Sequence, residues 1–325
     1  MRKLIVLAAA ALTLTACGKK AEAENADVQA DSTAVSTVYF IKDITPENLV
    51  KIYEALGREA TGKVAVKIST GESEKTGYLR PDFIKALVDT VNGTIVECNT
   101  AYAGNRRYTA DHLKAIEERG FPAIAPCDIL DSTGDTILPL EGGLHLKYDI
   151  VGKNYLDYDF TVVLSHFKGH QMGGFGGALK NISIGLGSAN GKAYIHSAGT
   201  TEDADSVWSH VAEQDAFLES MADASKAVID HAGDNILYIN VANKLSVDCD
   251  CNGDPSAPEM GDLGIYASLD PVALDRACVD AVYNSADPGK TALIKRIEEK
   301  HGTHILDAAE QLGLGSQKYQ IVELK

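Results

Sequence analysis

Between Ser165 and His196 the chain carries three histidines, His166, His170 and His196, with Lys168 and Lys180 among them and glycine at 173, 174, 176 and 177. An imidazole gains or loses a proton near pH 6.5, so a histidine beside such a glycine loop, His170 above all, is a candidate acid or base. Lys180 stands among Ala178, Leu179, Ile182 and Ile184. Burial there lowers an amine's basicity and raises its nucleophilicity, and its ammonium form can hold a carboxylate or phosphate. The apolar run Phe160–Leu164 leads into the segment. Polar residues at the end of a buried strand, followed by glycines that admit close backbone approach, are where α/β proteins place ligands. The expectation is one pocket holding His170, Lys180 and His196 beside the Gly173–Gly177 loop, with His166 as a candidate substrate contact.

Two common phosphate motifs are excluded. Lys180 is followed by Asn181, not Ser or Thr, and Leu179 occupies the third glycine position of a dinucleotide loop. Cys249 and Cys251 form Asp-Cys-Asp-Cys, which suits either a metal or a disulfide. The chain has no C-x₂-C, so zinc-ribbon and ferredoxin motifs are not supported. The formal charge is −16, and Arg2 and Lys3 are the charged residues of the first 16, so the rest stands near −18. That sign repels nucleic acid and excludes it as a partner. Lys168, Lys180, Arg80, Arg106 and Arg107 can still make a local basic pocket for a small anionic ligand.

The elements that must position these residues follow from periodicity and breakers. Strands are predicted at 38–41, 63–68, 94–98, 121–125, 159–165, 235–242, 263–267 and 319–324. Helices are predicted from Thr45-Pro46, from Pro81, from Thr109 as a cap with Leu113 and Ile116 inward, over 207–231, from Asp270-Pro271, and over 288–300 and 304–312. Residues 135–150 read as two short β segments around Glu141-Gly142-Gly143. Strand–helix alternation argues for an α/β fold of mostly parallel sheets covered by helices. The expected arrangement is two lobes, 38–150 and 151–325, with the site between them.

Residues 1–16 have the charged start and short apolar core of a signal peptide, too short for a stable membrane span. Leu14-Thr15-Ala16-Cys17 resembles a bacterial lipobox, which implies cleavage before Cys17 and its lipidation as a membrane anchor. Gly18 and Lys19 follow without an Asp, so the expected location is the periplasmic side of the outer membrane. Residues 17–37, rich in Ala, Glu, Asp and Ser, read as a flexible tether.

Gly169-His170, Gly173-Gly174-Phe175-Gly176-Gly177, Lys180-Asn181 and Ile195-His196-Ser197 resemble the DUF362 family. Asp248–Cys251, Asp262-Leu263-Gly264-Ile265 and Ser268–Asp275 match its C-terminal signature. Many members carry a ferredoxin-like insert after the later histidine. Residues 199–216 stand there without a cysteine, so ferredoxin-type iron–sulfur clusters are not expected. The spacing His170, Lys180, His196 is also similar to the lactate racemase family. That resemblance implies a nickel-pincer nucleotide held covalently by Lys180 beside the glycines, nickel on His196, acid/base work by His170 and substrate contacts from Arg80. Where that family has a second catalytic histidine this chain has Arg106, which can bind a carboxylate but cannot act as a base near pH 7. Metal-ligand candidates are thus His196, Cys249 and Cys251. Two readings stand open: a lipid-anchored enzyme with a metal- or cofactor-dependent site for redox or acid/base chemistry on a small anion, and a non-catalytic lipoprotein that binds an organic anion.

Overall fold

The computed structural model describes residues 35–325, which form one compact unit. The expected signal segment, Cys17 and the expected tether up to residue 34 lie outside the described residues. The fold begins two residues earlier than expected, with Ser36 and Thr37 already in strand β1 (Ser36–Ile41). Among the described residues no helix is long and apolar enough to cross a membrane.

Helix α1 (Pro46–Ala55) starts as its sequence dictates: Thr45 caps it by accepting a hydrogen bond from the Asn48 N–H. Strands β2 (Val64–Lys67) and β3 (Gly93–Glu97) flank α2 (Pro81–Thr90), and α3 (Thr109–Glu118) follows. Tyr108, not Thr109, is the N-cap of α3. The Thr109 hydroxyl instead accepts from Asn99, and His112 is buried where Leu113 was expected. The strand expected at 121–125 is a 3₁₀ turn over Phe121–Ala123, because Pro122 has no N–H for a ladder; β4 (Cys127–Ile129) comes after it. The two β segments are β5 (Asp135–Pro139) and β6 (Tyr148–Gly152), paired as a hairpin.

Next come β7 (Phe160–His166), a short hairpin of β8 (Lys168–His170) and β9 (Gly174–Gly176), and the helices α4 (Ala178–Ile182), α5 (Ala189–His196) and α6 (Gln214–Ala232). The helix expected over 207–231 begins only at Gln214, after a single 3₁₀ turn at Val207–Ser209. The chain closes with β10 (Ile236–Ala242), β11 (Gly264–Ser268), α7 (Pro271–Asn284), α8 (Lys290–Glu299), α9 (His304–Gln311) and β12 (Tyr319–Glu323).

One eight-stranded sheet, in the order β12-β1-β11-β10-β7-β2-β3-β4, runs through the molecule. All its pairings are parallel except those of β11 with β1 and β10. This is the expected α/β class, with α1, α2 and α3 on one face and α4 to α9 on the other. The boundary expected at residue 150 does not divide the sheet. β2 pairs directly with β7, Val64 opposite Phe160 and Lys67 opposite Val163, so strands from both supposed lobes share one layer, with β1 set between β12 and β11. From β7 the chain builds outward through β10 on one side, while β2, β3 and β4 lie on the other. Such a reversal of strand order leaves a crevice at the carboxyl ends of the strands.

Candidate functional site

That crevice is a cavity of about 570 Å³. Lys67, Glu97 and His166 close the carboxyl ends of the adjacent strands β2, β3 and β7 and line it. The β8–β9 hairpin, α4, α5, the loop 98–106 and the loop 249–253 supply further walls. His170, Lys180 and His196 all line this cavity, so the three residues expected in one pocket share it.

Lys180 is held by a short, well-anchored helix. The buried Asp275 carboxylate on α7 accepts the Ala178 and Leu179 N–H groups at 2.7 and 3.0 Å, capping α4. Among the described residues the Lys180 ammonium has no hydrogen bond and no ion pair. Burial, reinforced by the charges of Lys168 and Lys67, lowers its pKa to about 7. Its amine is therefore available near neutral pH, as a nucleophile when neutral and as an anion contact when charged.

The two histidines differ in tautomer. His196 directs Nδ1 to the Lys192 carbonyl at 2.6 Å, so Nδ1 carries the proton and Nε2 keeps its lone pair. The ring is stacked on Phe217 and edge-on to Trp208, and burial, with Lys180 nearby, lowers its pKa to about 4. This is the arrangement of a metal-binding imidazole. His170 is the reverse. Its Nδ1 accepts from the Gly173 and Met172 N–H groups at 2.8 and 3.2 Å, so in the neutral ring Nε2 carries the proton. Burial and the charges of Lys180 and Lys168 hold its pKa well below the usual histidine range. His170 is a hydrogen-bond donor here, not a ready base.

The remaining candidates are placed as follows. His166 lines the cavity, but its ring nitrogens are taken by Asp250 at 3.0 Å and the Asn243 carbonyl at 2.6 Å, which leaves neither for a substrate. Arg106 is buried and saturated: it pairs with Glu72 and Glu97 and donates to the Tyr102 hydroxyl. Arg80 is not a cavity residue. Its guanidinium lies over the Tyr78 ring and pairs with Glu74. Of the glycines, Gly176 and Gly177 line the cavity, while Gly173 and Gly174 do not. Gly174, at φ +77°, lets β9 approach α8 and Gly302 closely, and a Cβ on Gly177 would fall 2.2 Å from Asp275. These two are packing requirements. The metal set is also revised. Cys249 and Cys251 lie near His170, not His196, and their sulfurs are joined in a disulfide.

Several site residues lay outside the expected set. Lys67 is fully buried, donates to the Ile68 carbonyl and to Asn181 Oδ1, and burial, opposed by Glu97, brings its pKa to about 8. Asp250 binds Lys168 at 2.7 Å; burial pushes its carboxyl up, but Lys168 and His166 outweigh that and hold it well below the usual range. Lys192 lines the wall and donates to the Gly187 carbonyl. A lysine ending an otherwise apolar strand, as in Val64-Ala65-Val66-Lys67, was the available signal for the first of these.

A family model described as a domain of unknown function, DUF362, matches residues 64–280. The chain belongs to that family. The DUF362 match spans every cavity residue named above. No curated protein matches the chain. Among solved structures, the lactate racemase apoprotein of Thermoanaerobacterium thermosaccharolyticum is 17% identical with a TM-score of 0.35, covering 65% of this chain and 51% of its own. A protein of Thermotoga maritima is 11% identical with a TM-score of 0.38, covering 82% of this chain and 58% of its own. The DUF362 chain thus spans little more than half the length of either, and at such scores neither likeness bears on chemistry.

Proposed function

We propose that this DUF362 protein is an envelope lipoprotein whose cavity holds a small anionic cofactor or substrate, with Lys180 and His196 as its working pair. The observation that carries the reading is the Lys180 amine, half-buried and without a partner among the described residues, its pKa lowered to about 7 by desolvation, in a cavity it shares with the bare Nε2 of His196. Leaving a largely desolvated cation unpaired is costly, and an anion entering the cavity would relieve that cost.

A nickel-pincer nucleotide, which the spacing of His170, Lys180 and His196 brings to mind, needs an amine as tether and a ring nitrogen as metal ligand. Lys180 and His196 fit those two roles. Bound, such a group would supply redox or hydride chemistry. His170 fits as a donor to a developing negative charge, and Arg106, ion-paired on both sides, does not fit as a second base. Two-base racemisation is therefore not part of the proposal. The anchor on Cys17 is; loss of membrane partitioning in Cys17→Ser checks it.

The deciding experiment is mass spectrometry with metal analysis on protein purified from its native envelope. The expected result is added mass on the peptide bearing Lys180 that Lys180→Ala lacks, and a metal that His196→Ala loses while the added mass stays. Protein with neither mass nor metal would reject the cofactor reading. The second reading, a non-catalytic anion binder, is favoured by the five cationic side chains against three carboxylates in the cavity wall. It predicts reversible binding of a small organic acid by the bare protein.

A further inference from the structure

The Cys249–Cys251 disulfide has no role in the site as described. It is a poor staple, since it closes a loop with one residue between the cysteines, and the shortest loops gain least from cross-linking. It lies in the cavity wall, where Cys249 is buried and Cys251 is partly open. The His170 Nε2 is 4.0 Å from the Cys251 sulfur, and the Cys249 sulfur lies within 4.8 Å of a His170 ring nitrogen. The intervening Asp250 points away, tied to His166 and Lys168, which fixes the backbone of the pair.

Two chemistries could use this cluster. A metal bridged by His170 and two thiolates needs the Nε2 lone pair. A ligating imidazole normally donates its other N–H to a neighbour, but here Nδ1 accepts two backbone N–H groups, so Nε2 holds the proton. The same N–H is well suited to a departing thiolate. We propose that Cys249–Cys251 is a redox-active centre that oxidises a small dithiol entering the cavity, with Cys251 as the sulfur attacked and His170, nearest Cys251, as the donor to that sulfur when it leaves in the second step.

The step balances. One thiolate of the dithiol attacks Cys251 Sγ, the Cys249–Cys251 bond breaks, and Cys249 leaves with the electron pair as a thiolate. The second thiolate then attacks the dithiol's own sulfur in the mixed disulfide, and Cys251 leaves. The dithiol loses two electrons and becomes a cyclic disulfide, and the protein disulfide gains them. The two protons released by the dithiol end on Cys249 and Cys251.

The centre stands apart from the reading of Lys180 and His196, and its test uses different residues. The full-length folded protein is alkylated, exposed to dithiothreitol, alkylated again and mapped by mass spectrometry. The expected result is two new thiols, at Cys249 and Cys251, with the near-ultraviolet circular dichroism unchanged. His170→Ala should slow reduction about tenfold, the worth of one hydrogen bond to a charged group. His170→Gln, which keeps an N–H donor but cannot take up a proton near neutrality, should recover most of the rate. A bond that yields only when the protein unfolds would overturn the proposal. So would a His170→Gln variant as slow as His170→Ala, or zinc uptake by the reduced protein that depends on His170.

Discussion

Lys180 and His170 show how one cavity can set neighbouring groups to opposite tasks. Burial penalises the charged form of both, but Lys180 ends near pH 7 while His170 is locked neutral by two backbone donors. The consequence for ligands can be signed. Below about pH 7 the Lys180 ammonium is charged and attracts an anion; above it the charge is lost. Affinity for a small anion such as pyruvate should therefore fall as pH rises from 6 to 8, by roughly tenfold if a charge-assisted contact is lost. Calorimetric titrations at the two pH values measure this. In Lys180→Met the dependence should flatten, and a wild-type affinity that is level across the range would count against Lys180 as the anion contact.

Element by element, the sequence was readable wherever a local signal decided the outcome. Thr45 and Asp270 cap helices through their own side chains, and the apolar faces of α1 and α2 are buried where their spacing put them. It was unreadable where a distant partner decided. The β2–β7 pairing that merges the supposed lobes joins residues almost a hundred positions apart, and no local pattern encodes it. Lys67 ends a short apolar strand, yet only the helices that cover both faces of β2 bury its amine. The site histidines were identifiable by type, but their tautomers are set by backbone atoms only three and four residues away, the Gly173 N–H and the Lys192 carbonyl, through local turn and helix geometry that residue type alone does not reveal. The element that matters most to the site, α4, is too short to stand alone. Its N-terminus relies on Asp275, which also accepts from Asn240 at 2.7 Å. Asp275→Ala would leave three buried donors unpaired at about 1 kcal/mol or more each, so the expected loss is about 3 kcal/mol or more in urea unfolding. A loss under about 1 kcal/mol would show that α4 is held by packing alone.

Across the whole molecule, buried ionisable groups pull stability in opposite directions with pH. His196 and His112 have folded pKa values lowered chiefly by burial. Their unfolded forms take up protons first, so these two groups cost stability as pH falls below about 6.5. Asp149 on β6 does the reverse. It is fully buried, one of its carboxylate oxygens has no hydrogen-bond partner, and burial raises its pKa to about 7 against the help of Lys192. The unfolded carboxyl ionises near pH 4, so between there and pH 7 the unfolded state gains a charge the folded state resists. Stability from this residue is present at low pH and lost as pH rises. Asp149→Asn keeps the acceptor for the Ile150 N–H and cannot ionise. Its stability relative to the wild type should therefore rise between pH 5 and pH 8, by about 2–3 kcal/mol on the linkage of pKa to free energy. Urea unfolding of both proteins at the two pH values decides it. A difference that stays constant would mean that Asp149 keeps its charge in the fold, drawing on Lys192, which packs beside it in the same cavity wall that carries His196.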